Sequence, residues 1–447
     1  MTRITRKSKR EKERKINFFE EFVKLQKHFF KDLNKRLAAV RDPRHKSYID
    51  YGAEIMLFSV LLKNACGITS MTSMTEQFNK DECIDNISRV LGCELEELPH
   101  YDTINNFLCN LKPLEIEKIR DYMIKELFKK RSLEGYRLLD KYWCIAVDAT
   151  GLFSFSEKHC EHCLKKEFKN KKTGEVERTI YYHNVLEAKL VAGDMVFSIA
   201  TEFIENEDEN VSKQDCELNA FKRLEVKLKK KYPKLPICLL GDSLYACGPV
   251  FEICNKNGWK YLMRFKEGRI KSVAEEFNML KGSETKSTLN ASEAINSTWI
   301  NDIVYNDGNV NLIEAEVEVE KKDKKEKTFF VYITDIKITK RNADEIIYFG
   351  RSRWKIENQG FNNQKTKRYH LEHANSLNYN AMQNHYLITQ LADILRQLYE
   401  KGVYKIQDLN KGIKEISSGL LESFRMRLLT NAEDILKTEK RIQIRFT

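Results

Sequence analysis

Apolar residues recur at helical spacing through the first third of the chain. Phe18, Phe19, Phe22, Val23 and Leu25 make one stripe, and Ile55, Phe58, Leu61 and Leu62 another. Asp102-Thr103-Ile104-Asn105-Asn106-Phe107-Leu108 reads as a helix opened by a capping aspartate. From about residue 139 the period shortens to two. In YWCIAVDATGLFSF, Trp143, Ile145 and Val147 share one face and Cys144, Ala146 and Asp148 the other. NVLEAKLVAG and MVFSIATEFI follow as strands joined at Gly193-Asp194. A helix over 213–231 shows Leu218, Phe221, Leu224 and Leu228 on one stripe. Then come the short apolar run Ile237-Cys238-Leu239-Leu240, a helix from about Pro249 to Asn257, and the strand KYLMRF.

This order predicts an α/β fold around a mixed sheet. Residues 285–340 alternate apolar and polar positions around Asn306-Asp307-Gly308 and the charged turn KKDKKEK, which predicts an antiparallel β block. Asn342 and Glu345 resemble a capping box that opens a long helical stretch. The predicted organisation is a helical unit (1–138), a first core part (139–284), the β block (285–340), a second core part (341–400) and a helical tail (401–447).

Length and composition bound what this architecture does. A chain of 447 residues with 42% hydrophobic and 32% charged positions has room for two or three domains and a large core. It contains no apolar run long enough to span a membrane. The basic amino-terminal run MTRITRKSKREKERK lacks the apolar stretch of a secretory signal, so cytoplasm is the expected compartment. Eleven scattered cysteines, an odd number, point to reduced thiols. The net charge of +11 suits either a polyanionic partner or a lysine-rich surface. No GxxxxGK[ST] loop is present, so ATP-driven chemistry is not indicated.

Three acids occupy positions that ought to be apolar. Asp148 lies mid-strand, Asp242 ends the buried run in PICLLGDSLYA, and Glu357 interrupts an aromatic stripe of Trp354 and Phe361. A buried carboxylate without a partner costs several kcal/mol. Two carboxylates about 4 Å apart repel by about 4 kcal/mol at an effective dielectric near 20. Converging acids therefore require protons or cations. Hard oxygen donors suit Mg²⁺ or Mn²⁺, and two such ions serve phosphoryl transfer. Glu217 and Asp215 stand at a helix start, where the dipole favours acids, and read as structural.

VDATG, GDSLYA and RWKIENQGF, in this order and with a β block between the last two, resemble the DDE transposases of bacterial insertion sequences. The resemblance is to the group whose ribonuclease-H-like core is interrupted by a β insertion, and it covers roughly residues 40–400. It implies a catalytic, metal-binding triad of Asp148, Asp242 and Glu357 with Mg²⁺ or Mn²⁺, in all two ions. It implies that the first strand lies beside the fourth, with Glu357 supplied by the helix after the insertion. Double-stranded DNA, as element ends and target, would be bound by a homodimer associated with the nucleoid. Relatives carry a Tyr-Arg-Glu-Lys signature. Here Arg353 and Glu357 match, whereas Gly350 and Gln364 occupy the tyrosine and lysine positions, with Tyr348 and Lys365 close by. Lys365, Lys367 and Arg368 are expected to grip phosphates. Trp354 reads either as core or as a stacking platform for a base. The alternatives to a transposase are a catalytically silent DNA-binding descendant and a metal-dependent nuclease.

KHCEHCLKK places His159, Cys160, His162 and Cys163 within five residues, and His183 approaches across the predicted hairpin. With His183, Cys160, Cys163 and His159 make a Zn²⁺ site; without metal the segment is a reduced thiol loop.

Overall fold

The computed structural model describes residues 11, 13–206, 213–289, 293–321, 324–429, 444 and 446. Most of the basic amino-terminal run and most of the tail beyond 429 lie outside the described residues, as do two residues of the charged turn at 322–323. The fold is mixed α/β: one twisted sheet with helices on both faces.

From Phe18 on, the described residues form seven α-helices before the sheet: α1 (Phe18–Phe29), α2 (Leu33–Ala38), α3 (Ala53–Ala65), α4 (Met71–Phe78), α5 (Asp81–Leu91), α6 (Tyr101–Asn110) and α7 (Pro113–Lys130). The cap of α6 is His100, whose ring accepts from the Asp102 amide, so the aspartate lies inside the helix. The sheet then begins with β1 (Trp143–Phe155), β2 (Leu164–Lys169), β3 (Val176–Ala192) and β4 (Met195–Ile204). Helix α8 (Glu217–Lys231) leads into β5 (Ile237–Gly241), and α9 (Gly248–Asn257) into β6 (Lys260–Arg264). After α10 (Lys271–Leu280) come β7 (Glu284–Leu289), β8 (Glu293–Tyr305), β9 (Gly308–Lys321) and β10 (Lys324–Thr334). Helix α11 (Ala343–Ser352) runs on through wider π turns over Ile356–Asn362 and Gln364–Arg368. Then follow α12 (Tyr379–Gly402), α13 (Tyr404–Gln407) and α14 (Ile413–Met426).

Through the centre the strands run β4-β3-β1-β5-β6, with β1, β3 and β4 antiparallel and β5 and β6 parallel to β1. Strand β2, absent from the predicted elements, pairs with the outer half of β3. The predicted β block is present, but it is continuous with the sheet, because β10 pairs antiparallel with β6. The expected capping box does not form. Asn342 accepts from the Thr339 amide, and Glu345 accepts from the Leu139 amide at the entry to β1.

Strand alternation sorts side chains between two cores. Trp143, Ile145 and Val147 join a large cluster with α8, the seven leading helices and α12. Cys144 and Ala146, with Cys238 and Leu240 of β5, join the opposite cluster beneath Ile346, Ile347, Phe349, Ile356 and Phe361. Residue 138 is therefore no boundary in packing. The buried Arg120 of α7 reaches across to Ser198 Oγ (2.9 Å) and Thr201 on β4, and Thr201 donates to Glu187 on β3 (2.5 Å).

Candidate functional site

Alternation and register settle where two of the acids point. Asp148 continues the face of Cys144 and Ala146, and Asp242 continues that of Cys238 and Leu240. Ala146 pairs with Leu240 at the end of the parallel β1–β5 ladder, so Asp148 and Asp242 each follow two residues beyond that pair, and the Asp242 charge acts on Asp148. Gly241 permits this ending. A Cβ there would lie 2.6 Å from Met263 Sδ and 2.9 Å from Tyr245 Cβ. The strand stops in a tight turn, with Asp242 Oδ1 accepting from the Leu244 amide at 2.7 Å.

The helix on that same face brings the third acid. Ile356 and Phe361 are buried in the cluster below it. Arg353, itself buried, places Nη1 3.2 Å from Asp148 Oδ2 and Nη2 2.8 Å from Glu357 Oε1. One guanidinium thus joins acids from β1 and from the late helix. Burial pushes the Asp148 carboxyl up to about 7; Arg353 opposes the rise, and Glu357, Glu217 and Asp242 add to it. Desolvation dominates, and the surrounding negative charge adds to it.

Glu217 is the acid that sequence reasoning dismissed. It is the first residue of α8, where a favourable helix dipole explains an acid without any other role. Its Oε1 accepts from the Tyr245 hydroxyl at 2.7 Å, three residues past Asp242. Burial raises its carboxyl, and Asp242 raises it further. A tyrosine three residues after a candidate acid was the available signal, but the contact depends on how α8 sits over the end of β5.

The remaining predicted residues separate. Trp354 is 59% exposed, so the core reading is wrong, and Tyr348 is exposed as well. Lys367 is exposed, whereas Lys365 pairs with Glu372 at 3.1 Å. Arg368 contradicts its expected phosphate role. It is buried against Glu400 (2.6 Å) and Asp393 (3.7 Å), which it neutralises inside the fold. The two departures from the signature have local causes. A side chain at Gly350 would meet the Tyr332 ring of β10 at 2.8 Å. Gln364 is fully buried and donates to Gln390 (3.0 Å) and Asp393 (2.7 Å).

A second cluster lies where β1, β2 and β3 meet. His159, Cys160, Cys163 and His183 bring one ligand atom each to within 4.8 Å of the others, a group that could hold a metal ion. Sγ of Cys160 is 3.5 Å from Sγ of Cys163 and 3.5 Å from Nε2 of His183, which is 3.6 Å from the second sulfur. His159 Nδ1 lies 3.4 Å from Cys163 Sγ, and its Nε2 3.3 Å from His183 Nε2. Burial holds the His183 imidazole down at about 4 and pushes the Cys160 thiol up to about 12. Without metal, these two groups are therefore neutral. His162 is not part of it: the ring stacks on Tyr379 at 4.2 Å.

No family model matches the chain, and no curated protein matches it. Among the described residues no helix is long and apolar enough to cross a membrane.

Proposed function

We propose that the chain is a DDE transposase with a ribonuclease-H-like core, acting on the DNA ends of its own mobile element. The observation that supports it best is the gathering of Asp148, Asp242 and Glu357, from three distant segments: Arg353 pairs with Asp148 and Glu357, and Asp242 acts on Asp148 electrostatically. The adjacency of β1 and β5 and the β strands between β6 and the Glu357 helix fit the same reading.

The carboxylates suit Mg²⁺ or Mn²⁺, being oxygen donors with no histidine among them. An Asp148 carboxyl held at about 7 beside Arg353 fits a site with room for more positive charge. Asp148, Asp242 and Glu357 would hold the ions. Bound there, two divalent ions supply an activated water and Lewis-acid stabilisation of a phosphodiester. Arg353, no longer countering two bare carboxylates, is placed to hold a phosphate oxygen. The exposed Trp354 and Tyr348 offer rings to an unstacked base, and Lys367 a contact to the backbone. Two chains would each act on one end in a homodimer.

For the second cluster we propose structural Zn²⁺. A zinc tetrahedron with Zn–S near 2.3 Å and Zn–N near 2.0 Å has edges of roughly 3.3–3.8 Å. The three distances among Cys160 Sγ, Cys163 Sγ and His183 Nε2 are 3.5, 3.5 and 3.6 Å, and one His159 nitrogen completes a set within 4.8 Å.

The test of function incubates protein, Mg²⁺, a target plasmid and labelled duplexes from the DNA flanking its gene. Joined products that vanish in Asp242→Asn are expected. Cleavage without joining would make the protein a nuclease, and binding alone a silent descendant.

A further inference from the structure

We infer that the β2–β3 hairpin is a grip for the phosphates of duplex DNA, held at its root by the His/Cys cluster. DNA as the partner rests on the transposase reading, whereas the form of the hairpin does not.

Strand β1 leaves the sheet at Phe155, whose partner on β3 is Tyr181. Beyond that pair only β2 and β3 continue, with Lys166 opposite Ile180 and Phe168 opposite Arg178. The hairpin stands clear of the sheet, and every residue from 171 to 178 is exposed. Between residues 165 and 178 lie six basic side chains, Lys165, Lys166, Lys169, Lys171, Lys172 and Arg178, against three acidic ones. A projecting ribbon with excess positive charge complements a polyanion.

Its tip is already shaped. Asn170 Oδ1 accepts from the Lys172 (2.8 Å) and Thr173 (3.2 Å) amides, and Gly174 takes φ +76° to complete the turn. The outer edge of β2 is closed by Gln214, whose amide accepts from Lys165 N (2.5 Å) and donates to Lys165 O (2.9 Å).

An isolated two-stranded hairpin is at best marginally stable in water. The root must therefore supply the order, and all four ligands sit there. His159, Cys160 and Cys163 immediately precede β2, and His183 is on β3. The stacking of His162 on Tyr379 braces the same root against the start of α12.

The position suits a substrate shared with the carboxylates. Phe155 lies seven residues past Asp148 along β1, at most about 23 Å at ~3.3 Å per residue. That is less than one turn of duplex DNA, ~34 Å. A backbone held at the ribbon would run on toward Asp148.

The test uses full-length protein, a fluorescent 40-base-pair duplex of arbitrary sequence, and anisotropy titrations over a range of salt. The combined variant Lys169→Ala, Lys171→Ala, Lys172→Ala and Arg178→Ala alters only exposed side chains. Each phosphate that the variant no longer neutralises should flatten the slope of log affinity against log salt by about 0.9, so a flattening of roughly 2–4 is expected. Affinity at 0.1 M salt should fall about tenfold or more, with metal content unchanged. Cys163→Ser should lose the metal, open the Lys171-Lys172 turn to trypsin and weaken the same DNA binding. A combined variant that keeps the wild-type slope overturns the grip and leaves the DNA reading intact. Wild-type protein that binds no duplex overturns both.

Discussion

The two polar clusters along β1 are built in opposite ways. The His/Cys cluster comes from one hairpin, burial keeps its Cys160 thiol and His183 imidazole uncharged, and its four ligand atoms already lie within 4.8 Å of one another. The carboxylate centre comes from β1, β5, α8 and the late helix, and its members repel one another. Arg353 holds two of them, and Asp148 responds by resisting ionisation. Thiols and imidazoles can wait for a metal as uncharged groups. Carboxylates cannot, so a centre made of them stores repulsion that a cation relieves.

Removing a member should therefore have opposite effects on stability at the two clusters. The largest expected effect is on activity: Asp148→Asn, like Asp242→Asn, should lower strand cleavage by at least about 10³-fold, as loss of a metal-binding catalytic group implies. The same Asp148→Asn should stabilise the metal-free protein. A carboxyl held near 7 when folded, against about 3.9 unfolded, is more protonated in the folded state. Metal-free stability should then decline as pH rises from about 4 to about 7. Above that range the variant should gain on the order of 2 kcal/mol. Thermal melts at pH 5 and 7.5 in chelator would show the difference, and identical wild-type and variant profiles would show that burial and the neighbouring acids do not hold Asp148 protonated in the folded protein.

Cys163→Ser should act in the other direction, lowering the melting temperature of metal-loaded protein by several degrees. Metal analysis should find one zinc per wild-type chain and none in the variant. Equal melting of the two proteins, both free of zinc, would reduce the cluster to a thiol loop. The smallest effect belongs to Glu217→Gln. It leaves Asp148, Asp242 and Glu357 in place but removes a neighbouring charge that raises Asp148, so the midpoint of the pH–rate profile should move down by a fraction of a unit. An unmoved midpoint would make Glu217 only a partner for Tyr245.

What the sequence disclosed follows the same division between local and distant. Asp148 and Asp242 were legible because period-two alternation assigns a face and a strand end assigns a level. The helices of the first third and the β block were legible from periodicity. Trp354 was misjudged because the stripe that joined it to Phe361 runs through π turns from Ile356, which break the 3.6-residue period, and Arg368 because its place after Glu357 says nothing of its distant partners on α12. Arg368 turns inward to Glu400 and Asp393, and Trp354 outward to solvent. Glu217 was hidden by a sufficient local explanation. Strand β2 was missed because Lys165 to Lys169 is exposed on both faces and shows no alternation.

The most direct test of a single carboxylate centre is Mn²⁺ binding, measured by calorimetry and electron paramagnetic resonance on zinc-loaded protein. Wild type is compared with Asp148→Asn, Asp242→Asn and Glu357→Gln. The account predicts Mn²⁺ binding in the wild type that each of the three substitutions weakens by about tenfold or more, the loss of one charged ligand. Binding that survives unchanged in any one of the three would contradict it.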